Sequence, residues 1–447
     1  MSQATSQTAP QDNLSLRQLI PALFIVFIDT MGLTIVIPIM PFYALAFNAP
    51  PAVVGLLLMS YALAQVIFAP ILGNLSDRFG RKPVLALAQV GTFISLLLLG
   101  FAWALPALFL ARILDGITGA NMSTVQSAIT DMTSAKLRAK GLGLVGAAFG
   151  VGFIVGPLIS GLALRLAGNN YSAPAFVAAG FAFLSIVLTT FVFRETLPAD
   201  KRKGRTTQRV GVLGVLEGIR SAQLRPFYVL VFATQFIFAM FTSTFALFTL
   251  NRIGFNSTNN AIFFGIFGIC LVLMQGVFVG RWVQRYGEYR VLIASFMLTT
   301  FGFGLASFTP QQAVPWYSET AMLAELSQEG SVSEQAALLP SEEGSGLTAF
   351  LFVLFSLLPG PLGFTLQLPT LNTLITKHVS TDTVGKALGM SSAFAGIGNV
   401  LGPLLGGWLF DRIAPGAPFT VNASLSLIVL GVLLVSRSVV ERPVVQT

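Results

Sequence analysis

Charge is scarce in this chain. Lys and Arg number 26 and Asp and Glu 18 among 447 residues, or 10%, against about 25% in an ordinary soluble domain. So few charges cannot keep the surface of a fold this size in water, which argues against a soluble globular protein. Histidine and cysteine occur once each. The lone Cys270 excludes an intramolecular disulfide. The lone His378 lies in a loop between apolar runs and reads as solvated. There is no H-E-x-x-H pair, no G-x-x-x-x-G-K-[ST] nucleotide loop and no histidine within an apolar run to activate a nucleophile. The chain therefore does not read as an enzyme; no catalytic residues, metal ligands or cofactors are expected.

What is present is apolar: 54% hydrophobic residues and a mean hydropathy of +0.78. The first 16 residues are polar without a cleavable signal pattern, so the first apolar segment is expected to be retained. Stretches long enough to cross a bilayer, about 20 residues each, fall near 18–45, 52–74, 84–103, 106–131, 140–164 and 174–194. They resume near 226–250, 259–282, 290–308, 347–375, 385–410 and 418–437. Between the two sets lies "RETLPADKRKGRTTQRVGVLGVLEGIRSAQLR", basic and without a run of spanning length. The expected fold is an all-α membrane protein of twelve transmembrane helices in two six-helix repeats. Residues 1–194 form the first bundle, 195–225 a linker with a short surface helix near 210–222, and 226–447 the second bundle.

Lys and Arg placement sets the orientation. On this reading 22 of the 26 fall on one side, Arg165, Arg252 and Arg412 on the other, and Arg112 within a segment. Both termini and the linker are expected in the cytoplasm, as in a multi-pass protein of the plasma (inner) membrane. The 309–346 insert, with six glutamates and no Lys or Arg, is expected outside, mobile and dispensable. The net charge of +8 follows from this topology rather than from nucleic-acid binding.

An internal repeat supports the division. "GLVGAAFGVGFIVGPLISG" (143–161) matches "GMSSAFAGIGNVLGPLLGG" (389–407) at an offset of 246, while "GNLSDRFGRKPV" (73–84) matches "GRWVQRYGEYRV" (280–291) at 207. The difference of 39 is close to the length of the acidic insert. Parallel six-helix halves are one transporter architecture, with substrate held near the bilayer midplane between them.

Several residues carry chemistry. In 73–84, Gly73 and Gly80 bracket Asp77, Arg78, Arg81 and Lys82. Membrane anchoring accounts for Arg78 and Lys82, whereas a cytoplasmic gate also accounts for the acid and the two glycines. Gly152, Gly156 and Pro157, with Gly402 and Pro403 in the second repeat, allow close helix approach and bending, as packing or as a rocking interface. Intramembrane charge is costly and usually functional. It appears as Asp29 in the first segment and as Arg112 and Asp115 in the fourth, where i, i+3 spacing places them on neighbouring faces. At 100° per residue Arg112, Gly119, Ser123, Gln126, Ser127 and Thr130 form one polar stripe, expected to face a water-filled cavity. A direct Asp29–Arg112 contact is not expected, since helical rise puts Arg112 roughly 10 Å deeper. Asp29 is the first choice for a proton carrier. In the seventh segment Gln235, Phe238 and Thr242 are the best cavity-lining candidates; packing explains most of the 39 phenylalanines.

These stretches resemble the major facilitator superfamily. "GNLSDRFGRKPV" looks like its loop signature, "FIDTMGLTIVIPIMP" and "ARILDGITGA" resemble motifs of the twelve-helix drug/proton antiporters, and "GVGFIVGPLISG" is similar to their antiport motif. "FRETLP" resembles the segment ending their sixth helix. The nearest likeness is to the tetracycline-resistance branch. The resemblance implies that Asp77 and Arg81 pair with Asp131 at the end of the fourth helix, against the start of the eleventh. The tetracycline exporters also carry acids in helices 3 and 9, which this chain lacks, pointing away from a metal–tetracycline substrate. The function expected is export of small lipophilic molecules in exchange for protons by a monomer in the bilayer. An uncoupled facilitator or lipid flippase on the same fold is the alternative.

Overall fold

The computed structural model describes residues 16–119, 121–133, 137–197, 202, 218, 220, 221, 223–326, 339–380 and 383–435. Most of the linker, including most of the helix expected near 210–222, lies outside the described residues. So do the side chains of Arg17 and Ser123.

Lipid supplies no hydrogen bonds, so each apolar segment satisfies its backbone as helix. In the first half these are α1 (Leu16–Val36), α2 (Met40–Ala46), α3 (Pro51–Phe79), α4 (Arg81–Gly100), α5 (Leu105–Thr118), α6 (Asn121–Met132), α7 (Arg138–Leu166) and α8 (Ser172–Phe191). In the second they are α9 (Arg225–Ile253), α10 (Ser257–Leu273), α11 (Gly280–Tyr286), α12 (Glu288–Ser307), α13 (Glu319–Leu326), α14 (Thr348–Leu357), α15 (Pro359–Lys377), α16 (Val384–Arg412) and α17 (Ala417–Val435). Among the described residues eleven helices are long and apolar enough to span a membrane. The twelfth expected segment, 106–131, is instead the pair α5 and α6: α5 ends at Thr118 with Gly119 as its cap, so neither piece alone reaches spanning length.

The two halves repeat one packing scheme. In each, the first helix lies along the fifth (α1 on α7, α9 on α16) and the third along the sixth (α4 on α8, α12 on α17). Gly80 (φ 107°) and Gly287 (φ 80°) make the sharp turns into α4 and α12, a backbone region closed to residues with a Cβ. The halves meet along two seams, α3 on α16 and α10 on α7. A methyl placed on Gly55 would collide with the Pro403 carbonyl and Gly407, and one on Gly161 would press on Ala261. Further along, Gly396 faces Val66 and Gly150 faces Val272. Residues 55 and 261, like 66 and 272, are 206 apart, whereas the loops that follow match at 207. The π-helical turn Met274–Val279 between them takes up the single extra residue, as π-bulges do.

Both seams are tight only toward the face that carries the insert. Toward the opposite face, that of the 73–84 loop, a methyl on Gly73, Gly143, Gly146, Gly276, Gly280 or Gly385 would meet nothing within 4 Å among the described residues. The bundles therefore close on the insert face and part toward the loop face.

The described parts of the insert, 309–326 and 339–346, pack on the second bundle rather than standing free as expected from their acidity. Gln312 N–H donates to the Arg252 carbonyl (2.8 Å), Val314 N–H to that of Ile253 (3.1 Å) and Gly346 N–H to that of Ala313 (2.8 Å). Ala313, Val314, Met322 and Leu326 are buried in the main core. The apolar residues scattered among its glutamates seal the end of the second bundle. His378 likewise departs from its solvated reading. It is buried, its Nδ1–H donates to the Leu374 carbonyl (2.8 Å) and its ring packs on Phe227.

Candidate functional site

Asp29 faces the interior of the first bundle. Its Oδ1 accepts from Ser185 Oγ (2.7 Å), and Ser185 accepts in turn from Gln89 Nε2 (2.8 Å), a chain joining α1, α8 and α4. Asp29 Oδ2 is buried and has no hydrogen-bond partner among the described residues. Neither Gln89 nor Ser185 stands out in the sequence; the available signal is the amide of Gln89 within an otherwise apolar segment.

Arg112 and Asp115 form a buried ion pair, Nη1 to Oδ2 at 2.9 Å. The Arg112 guanidinium also lies 4.2 Å from the centroid of the Tyr61 ring, where the negative face of the ring attracts the cation. No hydrogen bond or ion pair joins Arg112 to Asp29 among the described residues. At the end of α5 the Gly119 carbonyl accepts from Gln65 Nε2 (3.0 Å), which also meets Tyr61 Oη (3.1 Å). A spanning helix is interrupted only where such a partner replaces the lost bond.

Asp29, Asp115, Tyr61, Gln65 and Gly119 line one cavity of about 190 Å³, with α6 contributing Asn121, Met122 and Val125. Gln126 is exposed and Ser127 half-buried, and neither is among this cavity's lining. The polar stripe of the fourth segment assumed one unbroken helix through Gly119, so it does not describe the lining of this cavity. The second bundle holds Gln235, half-buried, with Nε2 3.4 Å from Asn399 Oδ1, and Phe238 stacked face to face on Phe364 at 3.9 Å. Thr242 bonds its own helix at the Phe238 carbonyl (3.1 Å). The neighbouring Phe241, Phe245 and Phe248 are fully buried in contact with Phe303, Phe264 and Phe419, so this aromatic run packs the bundle interior.

At the loop face Arg81 holds two acids, Asp77 Oδ1 at 2.7 Å and Asp131 Oδ2 at 3.1 Å, and donates to Ser76 Oγ (3.0 Å). Arg78 is exposed. Glu195, from "FRETLP", accepts the free N–H groups of Arg81 (2.9 Å) and Lys82 (3.2 Å) at the start of α4, where the helix dipole favours an anion. The expected place of Asp77 against the start of α16 falls partly on residues 381 and 382, outside the described residues. The second bundle makes a counterpart with the signs exchanged, Lys377 to Glu288 at 2.5 Å. By the two repeat offsets, 288 corresponds to 81 and 377 to 131.

The duplicated glycines serve two surfaces. Gly152 and Gly156 pack on the α1 backbone at Phe27, Met31 and Ile35, and Gly398 and Gly402 on α9 at Phe232, Phe236 and Met240, all within one bundle. It is Gly150, Gly161, Gly396 and Gly407 that face the other bundle. Both α7 and α16 continue through Pro157 and Pro403 without interruption.

Comparison with known proteins matches this architecture. The family model described as Major Facilitator Superfamily matches residues 22–333 and 335–446. The chain is 36% identical over 293 residues to the class B tetracycline resistance protein of Escherichia coli, covering 64% of this chain and 72% of that one. It is 30% identical over 400 residues to multidrug resistance protein 1 of Bacillus subtilis (strain 168), covering 89% and 90%. Among solved structures it superposes on the human organic anion transporter MFSD10 (TETRAN) with a TM-score of 0.61 at 19% identity, covering 94% and 100%. On a POT family transporter in complex with 5-aminolevulinic acid the TM-score is 0.73 at 14% identity, covering 98% and 99%. Those two likenesses speak for the fold.

Proposed function

Because the chain belongs to the major facilitator superfamily, being a multi-pass membrane transporter related to tetracycline and multidrug resistance proteins, we propose that it exports small lipophilic molecules in exchange for protons. On this reading the two bundles rock about a substrate held between them. The membrane is the plasma membrane, both termini and the linker are cytoplasmic, and the insert is extracytoplasmic. The bundles then stand open to the cytoplasm, and one chain suffices for the cycle.

The observation that carries the reading is Asp29: half-buried, bonded through one oxygen, the other oxygen buried without a partner among the described residues, and sharing a cavity with Asp115. A carboxyl with one satisfied and one unsatisfied oxygen inside a membrane is suited to gain and lose a proton as the cavity wets and dries. At about 190 Å³ the cavity is below the roughly 300–1,000 Å³ of drug-sized sites. It suits protons and water, leaving substrate to the space between bundles near Gln235 and Phe238. One proton moving inward across 100 mV supplies about 2.3 kcal/mol, enough for roughly a fifty-fold substrate gradient.

The test is proton flux in proteoliposomes, read by a pH dye inside the vesicles on adding a substrate found by thermal-shift screening of lipophilic cations and neutral aromatics. Flux with wild type and none with Asp29→Asn, with substrate binding kept, supports the reading. Transport of a proven substrate by wild type with no proton movement replaces it with an uncoupled facilitator or flippase.

A further inference from the structure

Glu325 is a buried acid that the proton pathway does not use. It lies on α13 of the insert, 6% exposed, and no Lys or Arg pairs with it among the described residues. Its carboxylate is held by hydrogen bonds from both bundles. From the first, Asn169 Nδ2 donates to Oε2 (3.1 Å) and Tyr171 Oη to Oε1 (3.1 Å). From the second, Ser257 donates to Oε1 through its hydroxyl (2.6 Å) and its backbone N–H (3.4 Å). Ser257 is the first residue of α10, so the acid also sits at the positive end of that helix dipole.

The place matters as much as the bonds. Asn169 and Tyr171 lie between α7 and α8, and α10 packs on α7 along one of the two seams, beside the Gly161–Ala261 contact. Parting the bundles on this face carries Tyr171 away from Ser257, and one carboxylate cannot follow both. The cost of opening includes the bonds on one side. Nothing in the first half corresponds to the insert, so the clasp is one-sided, supplied by the second repeat alone.

We infer that Glu325 is the gate residue of the insert face, a latch by which the insert biases the transporter toward the state closed on that side. This rests on the rocking motion proposed above but on no particular substrate or coupling ion. The latch is positional: it changes the balance of states, not the chemistry of the proton site.

The test reads that balance directly, in the full chain with Cys270→Ser and no substrate. Paired spin labels at Leu166→Cys and Ile413→Cys report the insert face, and a pair at Phe79→Cys and Tyr286→Cys reports the loop face; distances are measured by double electron–electron resonance in lipid nanodiscs. Tyr171→Phe, which deletes one hydroxyl and no packing, raises the open-to-closed ratio at the insert face about fivefold, as expected for one net hydrogen bond. Glu325→Ala raises it further, and adding Tyr171→Phe to Glu325→Ala has no extra effect. Glu325→Gln, whose amide oxygen still accepts from Tyr171 and Ser257, stays near the parent. Should Glu325→Ala fail to fold, Tyr171→Phe and Ser257→Ala decide the matter alone. Unchanged distances in these variants, while Gly55→Ala shifts them, overturn the latch and leave rocking intact. One fixed distance in every variant overturns both.

Discussion

Lys377 and Glu288 repeat in the second bundle, with the signs exchanged, the ion pair that Asp131 and Arg81 make in the first. Each pair clips the start of a third helix to the end of a fourth, and each follows a left-handed glycine turn. The two differ in burial: the Arg81 side chain is 4% exposed and that of Lys377 57%. Exposed pairs contribute about 0–1 kcal/mol, whereas stranding one partner of a buried pair costs roughly 3–5 kcal/mol. Arg81→Ala should therefore lower the thermal midpoint and abolish transport, Asp77→Asn should keep the fold and cut transport strongly, and Glu288→Ala should change both little. Comparable midpoint losses in Arg81→Ala and Glu288→Ala, by fluorescence-monitored melting, would contradict this.

Ser185 offers a graded probe of the proton site. Ser185→Ala removes the donor to Asp29 Oδ1 and leaves the Gln89 amide without its acceptor. Transport should survive with an altered pH profile, whereas Asp29→Asn should lose proton flux entirely. Asp115→Asn should weaken the hold on Arg112 and shift the pH profile without ending coupling. Vesicle pH-dye traces across a pH series distinguish the three.

Glycine substitutions map the seams. In a helix, Gly→Ala ordinarily gains about 0.5–1 kcal/mol, so a loss identifies a steric clash. Gly55→Ala should be destabilising and should favour opening on the insert face, because its methyl meets the Pro403 carbonyl and Gly407. Gly143→Ala, with open space around it, should be neutral or stabilising. Equal melting shifts for the two would mean that the seams do not set the balance of states.

The latch should also respond to pH. Burial pushes the Glu325 carboxyl above the usual carboxylate range, an effect the hydrogen bonds of Ser257 and Tyr171 only partly offset. Around it stand Tyr171, with the tilted ring of Tyr43 packed behind it, and Tyr317 across a small cavity; Glu319 opens its own helix. The closed state binds the proton more tightly than an open, hydrated one. Closure is thus fully favoured below the usual carboxylate range and weakens as pH rises through the raised value. Insert-face distances should lengthen on alkalinisation more in the parent than in Glu325→Gln, the difference between the two being the share that Glu325 carries.

The twelve segments, the repeat and the charged loop were legible in the sequence because apolar length and glycine spacing depend only on local residues. Asp29, Arg112 and Asp115 stood out because charge within lipid is rare. The break at Gly119 did not, since it depends on Gln65 reaching across from α3 to the carbonyl there. Gln89 and Ser185 were hidden for the same reason: each is unremarkable alone and gains its role from a neighbour on another helix. The packing of the insert's described parts was not legible because its glutamates set the average, while that packing is decided by Ala313, Val314, Met322 and Leu326, all buried.

The two seams carry a record of ancestry. Gly407 meets Gly55 as Gly161 meets Ala261, and Gly396 meets Val66 as Gly150 meets Val272. A pair of equivalent contacts, each residue type meeting its partner's counterpart, is what a two-fold homodimer of six-helix chains makes by symmetry. Joined by a linker, the two copies were released from the requirement that every substitution occur twice. The π-turn, the exchanged ion pair and the insert are then later, one-sided departures, each found in a single copy of a contact that began as two.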